Sequence, residues 1–237
     1  MINRSSKESI QQKGLVVIDG PAGSGKTSSA KELARILRYR HLDSGALYRA
    51  TTFALLNESI SIGSWSSLQM ADFRNLNLQF LPQGNHIKMF CNQAEVSSEL
   101  RSVEVTEKVP YVASLPEARQ WLLDIQRNLG SSGCLVADGR DMGAVVFPTA
   151  DVKIFLTASL EVRATRRLRE NFGDNFSKKK IEEEMVRIRE RDLSDQNRRY
   201  SPLVQAEDAI EVDTTKLTFK QQLEVLAGLC EDLTDAQ

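Results

Sequence analysis

The sequence predicts an α/β fold, a parallel sheet with helices packed on both faces. Three observations carry this. Short apolar, β-branched runs recur along the chain, helical spacing fills the intervals between them, and a glycine-rich loop joins the first run to the first helical pattern. Strands that alternate with helices need crossover connections, which place helices over both faces of a parallel sheet.

The first run, LVVID at 15–19, reads as a buried strand ending in Asp-Gly. After the glycine loop, Ala30, Leu33, Ala34 and Leu37 recur at helical spacing. His-Leu-Asp at 41–43 ends a short strand, and Ser44 is placed to cap a helix carrying Leu47, Ala50, Thr51 and Ala54 on one face. Arg49 lies on a different face. The stretch 76–101 breaks the rhythm, because two alternating runs flank PQGN. That is a β-hairpin pattern and implies a small antiparallel insertion. Ala118, Trp121, Leu122, Ile125 and Leu129 mark one face of a later helix, with Ser114 and Glu117 spaced as a capping box and Gly130 as its stop. CLVAD (134–138), VKIFLTAS (152–159) and AIEVD (209–213) are further buried-type strands. The charge-dense segment 163–184, with a Gly-Asp break, reads as a solvated helix pair joined by a surface turn.

Composition narrows the function. A chain of 237 residues, 41% of them apolar, suits one large domain or a core with insertions. The formal net charge of -1 argues against a protein whose main work is gripping a nucleic-acid backbone. Cys91, Cys134 and Cys230 are far apart and odd in number, which fits neither a metal site nor a disulfide framework and points to a reducing compartment. Residues 1–13 are polar, lack a signal-peptide stretch and are expected to be flexible. No apolar run approaches a membrane span. A soluble, cytoplasmic monomer is expected.

Gly20, Gly25, Lys26 and Thr27 fit the spacing G-x-x-x-x-G-K-[ST]. The loop Gly20, Pro21, Ala22, Gly23, Ser24, Gly25 turns backbone N–H groups inward, and the helix beginning at the lysine aims its N-terminus at the same anion. Lys26 then reaches the β- and γ-phosphates of ATP or GTP, and Thr27 ligates Mg²⁺. The guanine and γ-phosphate motifs of a GTPase switch are not found. A motor is disfavoured by length, which leaves a small kinase with a separate acceptor pocket. Two polar clusters suit that pocket. Asp138, Arg140 and Asp141 follow a strand, and in an open parallel sheet the carboxyl ends of strands face the ligand crevice. Arg191, Asp195 and Arg198 share one helix face, with Arg187 extending the stripe.

The stretches IDGPAGSGKTSSA, LDSGALYR, SSELR, ADGRDMGAVVFP, VKIFLTAS, RERDLSDQNR, SPL and AIEVDTT together resemble bacterial cytidylate kinases, members of the nucleoside-monophosphate kinase family. The resemblance runs from about residue 14 to near the end. It implies a P-loop kinase core spanning 14–237 as a single domain, with a monophosphate-binding insertion at about 44–103 and a short helical lid at about 168–184. It implies transfer of the γ-phosphoryl of ATP to CMP and dCMP, with Mg²⁺. The acceptor is a phosphate, mostly dianionic at neutral pH, so a general base is not required. The obstacle is repulsion between two anions, for which arginines and Mg²⁺ are the remedy. Lys26, with Arg163 and Arg167 from the lid side, is assigned to the transferring phosphoryl. Ser44, Arg49 and Arg140 are assigned to the phosphate end of the acceptor. By resemblance, Arg119, Asp141, Arg191, Asp195 and Arg198 line the acceptor pocket, where Asp141 suits the cytosine amino group and Arg119 its ring acceptors. Where the family usually has a serine nine positions before this arginine, the chain has Pro110. Two alternatives remain open: a kinase for UMP or dTMP, and an ATP-dependent nucleic-acid-binding module.

Overall fold

The computed structural model describes residues 14–58 and 60–234. The segment 1–13, expected to be flexible, lies outside the described residues. Five strands run parallel: β1 (Leu15–Asp19), β2 (Arg40–Asp43), β6 (Leu135–Asp138), β7 (Val152–Thr157) and β8 (Ile210–Asp213), in the order β2-β6-β1-β7-β8. Side chains alternate across this sheet, as a strand's two-residue period requires. Val16, Ile18, Val136, Ile154 and Leu156 face α1 (Lys26–Leu37) and α8 (Phe219–Gly228). Val17, Leu42, Leu135 and Ala137 face the opposite core, built with α2 (Ser44–Asn57), α4 (Val103–Val112) and α5 (Pro116–Gly130). Both faces of β1, β6 and β7 are therefore covered, and these strands read as near-continuous apolar runs for that reason. The expectation that 209–213 is a buried strand is corrected: β8 is the edge strand, and of Ile210–Asp213 only Val212 is buried.

The hairpin forms where PQGN placed it. β3 (Leu78–Gln83) and β4 (His86–Cys91) pair antiparallel, and Gln83 faces His86 across a two-residue loop. Gly84 carries φ 60° there, the geometry of a tight hairpin turn with glycine first. The short strand β5 (Ala94–Glu95) pairs with β4. The hairpin is not a separate sheet: β4 joins the edge of the core through His41 and His86, and His41 N donates to Asn85 O. Between α2 and β3 lie a 3-10 turn (Ile62–Ser67) and α3 (Met70–Arg74). Trp65 and Phe73 from these pieces are wholly buried and close the core beneath the insertion.

The charge-dense segment is a helix pair, α6 (Leu160–Phe172) and α7 (Lys178–Gln196), turning at Gly173 with φ 65°. A four-residue helix, α9 (Glu231–Thr234), follows α8.

Four local expectations are corrected. Arg198 does not share a helix with Arg191 and Asp195, because α7 ends at Gln196 and Asn197 caps it. Ser44 does not cap α2; Asp43 does, its Oδ1 accepting from Ala46 N at 2.9 Å, because the carboxylate sits one residue earlier at the strand end. Ser114 does not cap α5. Its hydroxyl donates to Tyr111 O, Leu115 takes the cap position, and Pro116 starts the helix, where its missing N–H costs nothing. Gly130 is the last helical residue of α5 rather than the residue beyond it.

Candidate active site

The glycine loop leaves β1 beside β7. At Gly20, φ is 147° and a Cβ would stand 2.1 Å from Leu156 O, so only glycine fits. Gly25, at φ 90°, turns the chain into α1, whose N-terminus has no side-chain cap and presents its backbone donors to the cleft. Lys26 is the first residue of that helix. Its ammonium is buried within the loop, donating to Pro21 O at 2.7 Å and Ser24 Oγ at 3.3 Å. Burial, followed by the charge of Arg140, holds its pKa well below the ordinary lysine value. Thr27 Oγ1 donates to Asp138 Oδ2 at 2.7 Å, tying the loop to the end of β6.

Asp19, at the end of β1, accepts from Met142 N and Gly143 N at 2.9 and 2.8 Å. It thereby locks the Asp-Gly-Arg-Asp-Met-Gly turn, which winds into a single π-helical turn (Met142–Val146), against the phosphate loop. Burial pushes its carboxyl up to about 6 in spite of those bonds.

The far wall of the cleft is made of arginines, each anchored by a partner. Arg49 donates to Asp43 Oδ2 at 2.8 Å. Arg119 donates to Ala113 O at 3.1 Å and to Asp141 Oδ2 at 2.5 Å, and its guanidinium lies 5.5 Å from the Tyr48 ring centroid. Burial raises the Asp141 carboxyl despite that arginine. Asp195 is wholly buried. Its Oδ2 accepts from Arg140 Nε at 2.7 Å, its Oδ1 accepts from Arg198 Nη2, and Arg191 Nε stands 3.3 Å away as an ion pair without hydrogen-bond geometry. Burial alone would raise this carboxyl, but the three guanidinium groups outweigh it and hold it below the ordinary range.

These groups meet in one cleft of about 750 Å³. Gly23, Gly25, Lys26 and Thr27 line one side, and Ser44, Arg49, Arg119, Asp141 and Arg198 line it as well. Arg140, Arg167 and Arg191 lie along it as well. Gly20, Pro21, Ala22 and Ser24 form the back of the loop and Asp195 sits behind its arginines, so none of these five lines the cleft. Arg163 departs from its expected place. Its guanidinium turns onto the loop backbone, donating to Ala22 O at 2.9 Å and Asp192 Oδ2 at 2.5 Å, while Asp192 Oδ1 accepts from Ala22 N at 2.8 Å. The pair clamps the loop to α6 and α7. Arg187 is also elsewhere, exposed and paired with Glu184.

Sequence reasoning missed Tyr48, Arg101, Thr106, Val109 and Arg166, all of which line the cleft. Arg166 follows Arg163 by three positions on the same helix, which was a usable signal. It donates to Thr214 Oγ1 and Thr214 O, both at 2.9 Å. Asp192 and His41 carried no signal of their own.

The cleft fits anionic ligands and a hard cation. The Nε donors of Arg119, Arg191 and Arg198 are buried without a hydrogen-bond partner among the described residues. A buried orphan donor costs about 1–3 kcal/mol, an arrangement suited to an incoming acceptor. The Thr27 hydroxyl and Asp138 carboxylate supply oxygen donors of the kind Mg²⁺ takes, and few of them. Among the described residues no cluster of three or more His, Cys, Asp or Glu is placed to hold a metal. Among the described residues no helix is long and apolar enough to cross a membrane.

Comparison with known proteins follows the same lines. The family described as Cytidylate kinase matches residues 16–232. A cytidylate kinase of an Exiguobacterium species is 42% identical over 228 residues, covering 96% of this chain and 99% of the relative. A cytidylate kinase of Ligilactobacillus salivarius is 41% identical, covering 92% and 96%. A cytidylate kinase of Carboxydothermus hydrogenoformans is also 41% identical, covering 91% and 95%.

Proposed function

The chain belongs to the cytidylate kinase family, and on that premise we propose how it acts: it is a nucleoside-monophosphate kinase that phosphorylates CMP at the expense of ATP, and it accepts dCMP in the same cleft. The observation that carries the reading is the single cleft shared by the phosphate loop and the arginine wall. A donor triphosphate and an acceptor monophosphate then meet end to end.

The loop and the N-terminus of α1 hold the ATP phosphates. Lys26 swings from Pro21 O to the transferring phosphoryl, and Arg140 and Arg167 supply charge beside it. Arg163 holds the loop in shape through Ala22 and Asp192. Ser44, Arg49 and Arg140 take the phosphate of the acceptor. Arg119 and Asp141 present a donor and an acceptor side by side, the pair that cytosine's ring oxygen and amino group require. Arg191 and Arg198, set by Asp195, face the sugar. The acceptor attacks through its own phosphate oxygen, so the protein's work is alignment and charge neutralisation.

Thr27, set by Asp138 behind it, would hold Mg²⁺, which when bound neutralises charge on the β- and γ-phosphates. The insertion at about 44–103 carries the acceptor and the helix pair around 168–184 acts as the lid. Closure excludes water that would otherwise take the phosphoryl group.

The test is a panel of nucleoside monophosphates with ATP and Mg²⁺, read as ADP formed. CMP and dCMP should turn over and UMP, dTMP, AMP and GMP should lag far behind. Preference for another monophosphate would overturn the cytosine assignment.

A further inference from the structure

His41 is a buried side chain that phosphoryl transfer to a nucleotide does not demand, and its surroundings give it a role. Its Nε2 lies 2.7 Å from Asp138 Oδ1, while the other oxygen of the same carboxylate accepts from Thr27 Oγ1 at 2.7 Å. Asp138 lies nearly out of solvent at the end of β6, and His41 is buried on the neighbouring β2. His41, Asp138 and Thr27 therefore form a continuous chain from the edge of the core sheet to the first turn of α1.

We propose that His41 is a positioning residue for the Mg²⁺·ATP end of the cleft, acting through Asp138 on the Thr27 hydroxyl. The inference rests on the kinase reading above and deepens it.

The argument is one of donors and acceptors. An ionised carboxylate only accepts, so Nε2 carries the proton that faces Asp138. This bond takes up one carboxylate oxygen and fixes the rotation of the group. The other oxygen is thereby aimed at Thr27. Thr27 donates its one hydroxyl proton to Asp138, so the hydroxyl lone pairs are left facing the cleft, where a cation or its water would sit. Partners of this kind behind a metal ligand typically account for about 10–100-fold in metal affinity. His41 is also held from behind. Its backbone pairs with β6 on one side and with the hairpin on the other, where His41 N donates to Asn85 O at 2.9 Å. The imidazole is therefore delivered by the sheet, and not by a mobile loop.

The experiment uses the full chain and three substitutions. Glutamine can place its amide nitrogen where Nε2 stands, asparagine cannot reach, and leucine has no donor. Binding of a non-hydrolysable ATP analogue is titrated by calorimetry with Mg²⁺ and again with EDTA, beside steady-state kinetics and thermal melts. His41→Leu should weaken Mg²⁺-dependent binding by about tenfold. It should raise KM for Mg²⁺·ATP likewise, and leave EDTA binding and the KM for CMP within about twofold. His41→Gln should recover most of the loss and His41→Asn should not. Equal Mg²⁺ dependence in the wild type and His41→Leu, or equal behaviour of the glutamine and asparagine variants, overturns the proposal. If the leucine and asparagine variants do not fold, the wild-type ring decides. The chain has two histidines, so His86→Gln leaves His41 as the sole imidazole signal. Adding Mg²⁺ to the analogue complex should move that signal, and an unmoved signal overturns the proposal. Failure of the monophosphate panel would instead remove the kinase reading itself, whatever the variants do.

Discussion

Arg140 Nε donates to Asp195 Oδ2 at 2.7 Å, and that carboxylate is wholly buried beneath three arginines. One acidic group thus sets three arginines of the cleft wall, the wall proposed to read the acceptor nucleotide, and it joins the turn after β6 to the last turn of α7. Removing one partner of a buried pair is costly because the other charges are left uncompensated, typically by about 3–5 kcal/mol. Asp195→Asn should lower Tm and raise KM for CMP by about tenfold or more, with KM for ATP little changed. Kinetics with each substrate varied in turn checks this. Equal damage to both constants would mean that Asp195 supports the fold in general.

The proposed role of Lys26 is to act on charge that develops during transfer. Lys26→Ala should cut turnover by about 10²–10³ while changing KM for CMP far less. Single-turnover rates against acceptor affinity separate the two effects. Near-normal turnover would refute the assignment of the loop.

Asp19 gives the protein a pH signature. Its carboxyl stands at about 6 in the folded chain against an ordinary 3.8, with burial the chief cause. Between those values the folded state binds the proton more tightly than the unfolded state, so this group's contribution to stability falls as pH rises from about 4 to about 6. The shift corresponds to about 3 kcal/mol. Asp195 and Asp138, both depressed, contribute in the opposite sense: their stabilisation is present above the ordinary carboxylate value and is lost as pH falls through their lower folded values. Comparing denaturant midpoints of the wild type with Asp19→Asn isolates the first term. The stability difference, wild type minus variant, should decline across that window. A flat difference would show that Asp19 is not held in the raised state.

Legibility in the sequence followed the range of the interactions. Features set by near neighbours were readable. The apolar, β-branched run LVVID, the helical spacing of Ala30 to Leu37 and the turn in PQGN each place an element correctly. Capping was less so, because Asp43 and Ser44 both satisfy the same local rule and only the backbone path chooses between them. Contacts that depend on strand order were not readable. His41 meets Asp138 only because β2 lies beside β6, ninety-seven positions away. Arg163 and Arg166 share one helix and both reach the loop backbone, yet only Arg166 lines the cleft. A charge pattern names the helix face and leaves open what it faces.

The helix pair around 168–184 should protect its backbone on closure. The junction at Gly173 is exposed and joins two helices that clamp the phosphate loop through Arg163 and Asp192. Hydrogen exchange in that segment should slow when a bisubstrate analogue binds and stay unchanged with CMP alone. Unchanged exchange with the analogue would remove the lid assignment.

Pro110 supplies the last prediction. It lies inside α4, whose neighbouring residues Thr106, Val109 and Ala113 line the cleft. Proline has no N–H, so the carbonyl of Thr106 loses its usual helical partner, and the helix ends two residues later at Val112. Pro110 itself is half-buried and does not line the cleft. A serine at this position would restore the N–H and add a hydroxyl beside Val109, within the wall that carries Ala113 and, through its carbonyl, Arg119. A hydroxyl bond to the acceptor is worth about 0.5–1.5 kcal/mol, a factor of about two to twelve in affinity. Pro110→Ser should therefore lower KM for CMP or dCMP by that factor and leave KM for ATP alone. Pro110→Ala restores the N–H without the hydroxyl and separates the two contributions. If alanine matches serine, the gain comes from the repaired helix; if serine alone tightens the acceptor, the hydroxyl reaches the nucleotide. If neither variant changes an acceptor constant, the wall around Pro110 has no part in binding the base or the sugar.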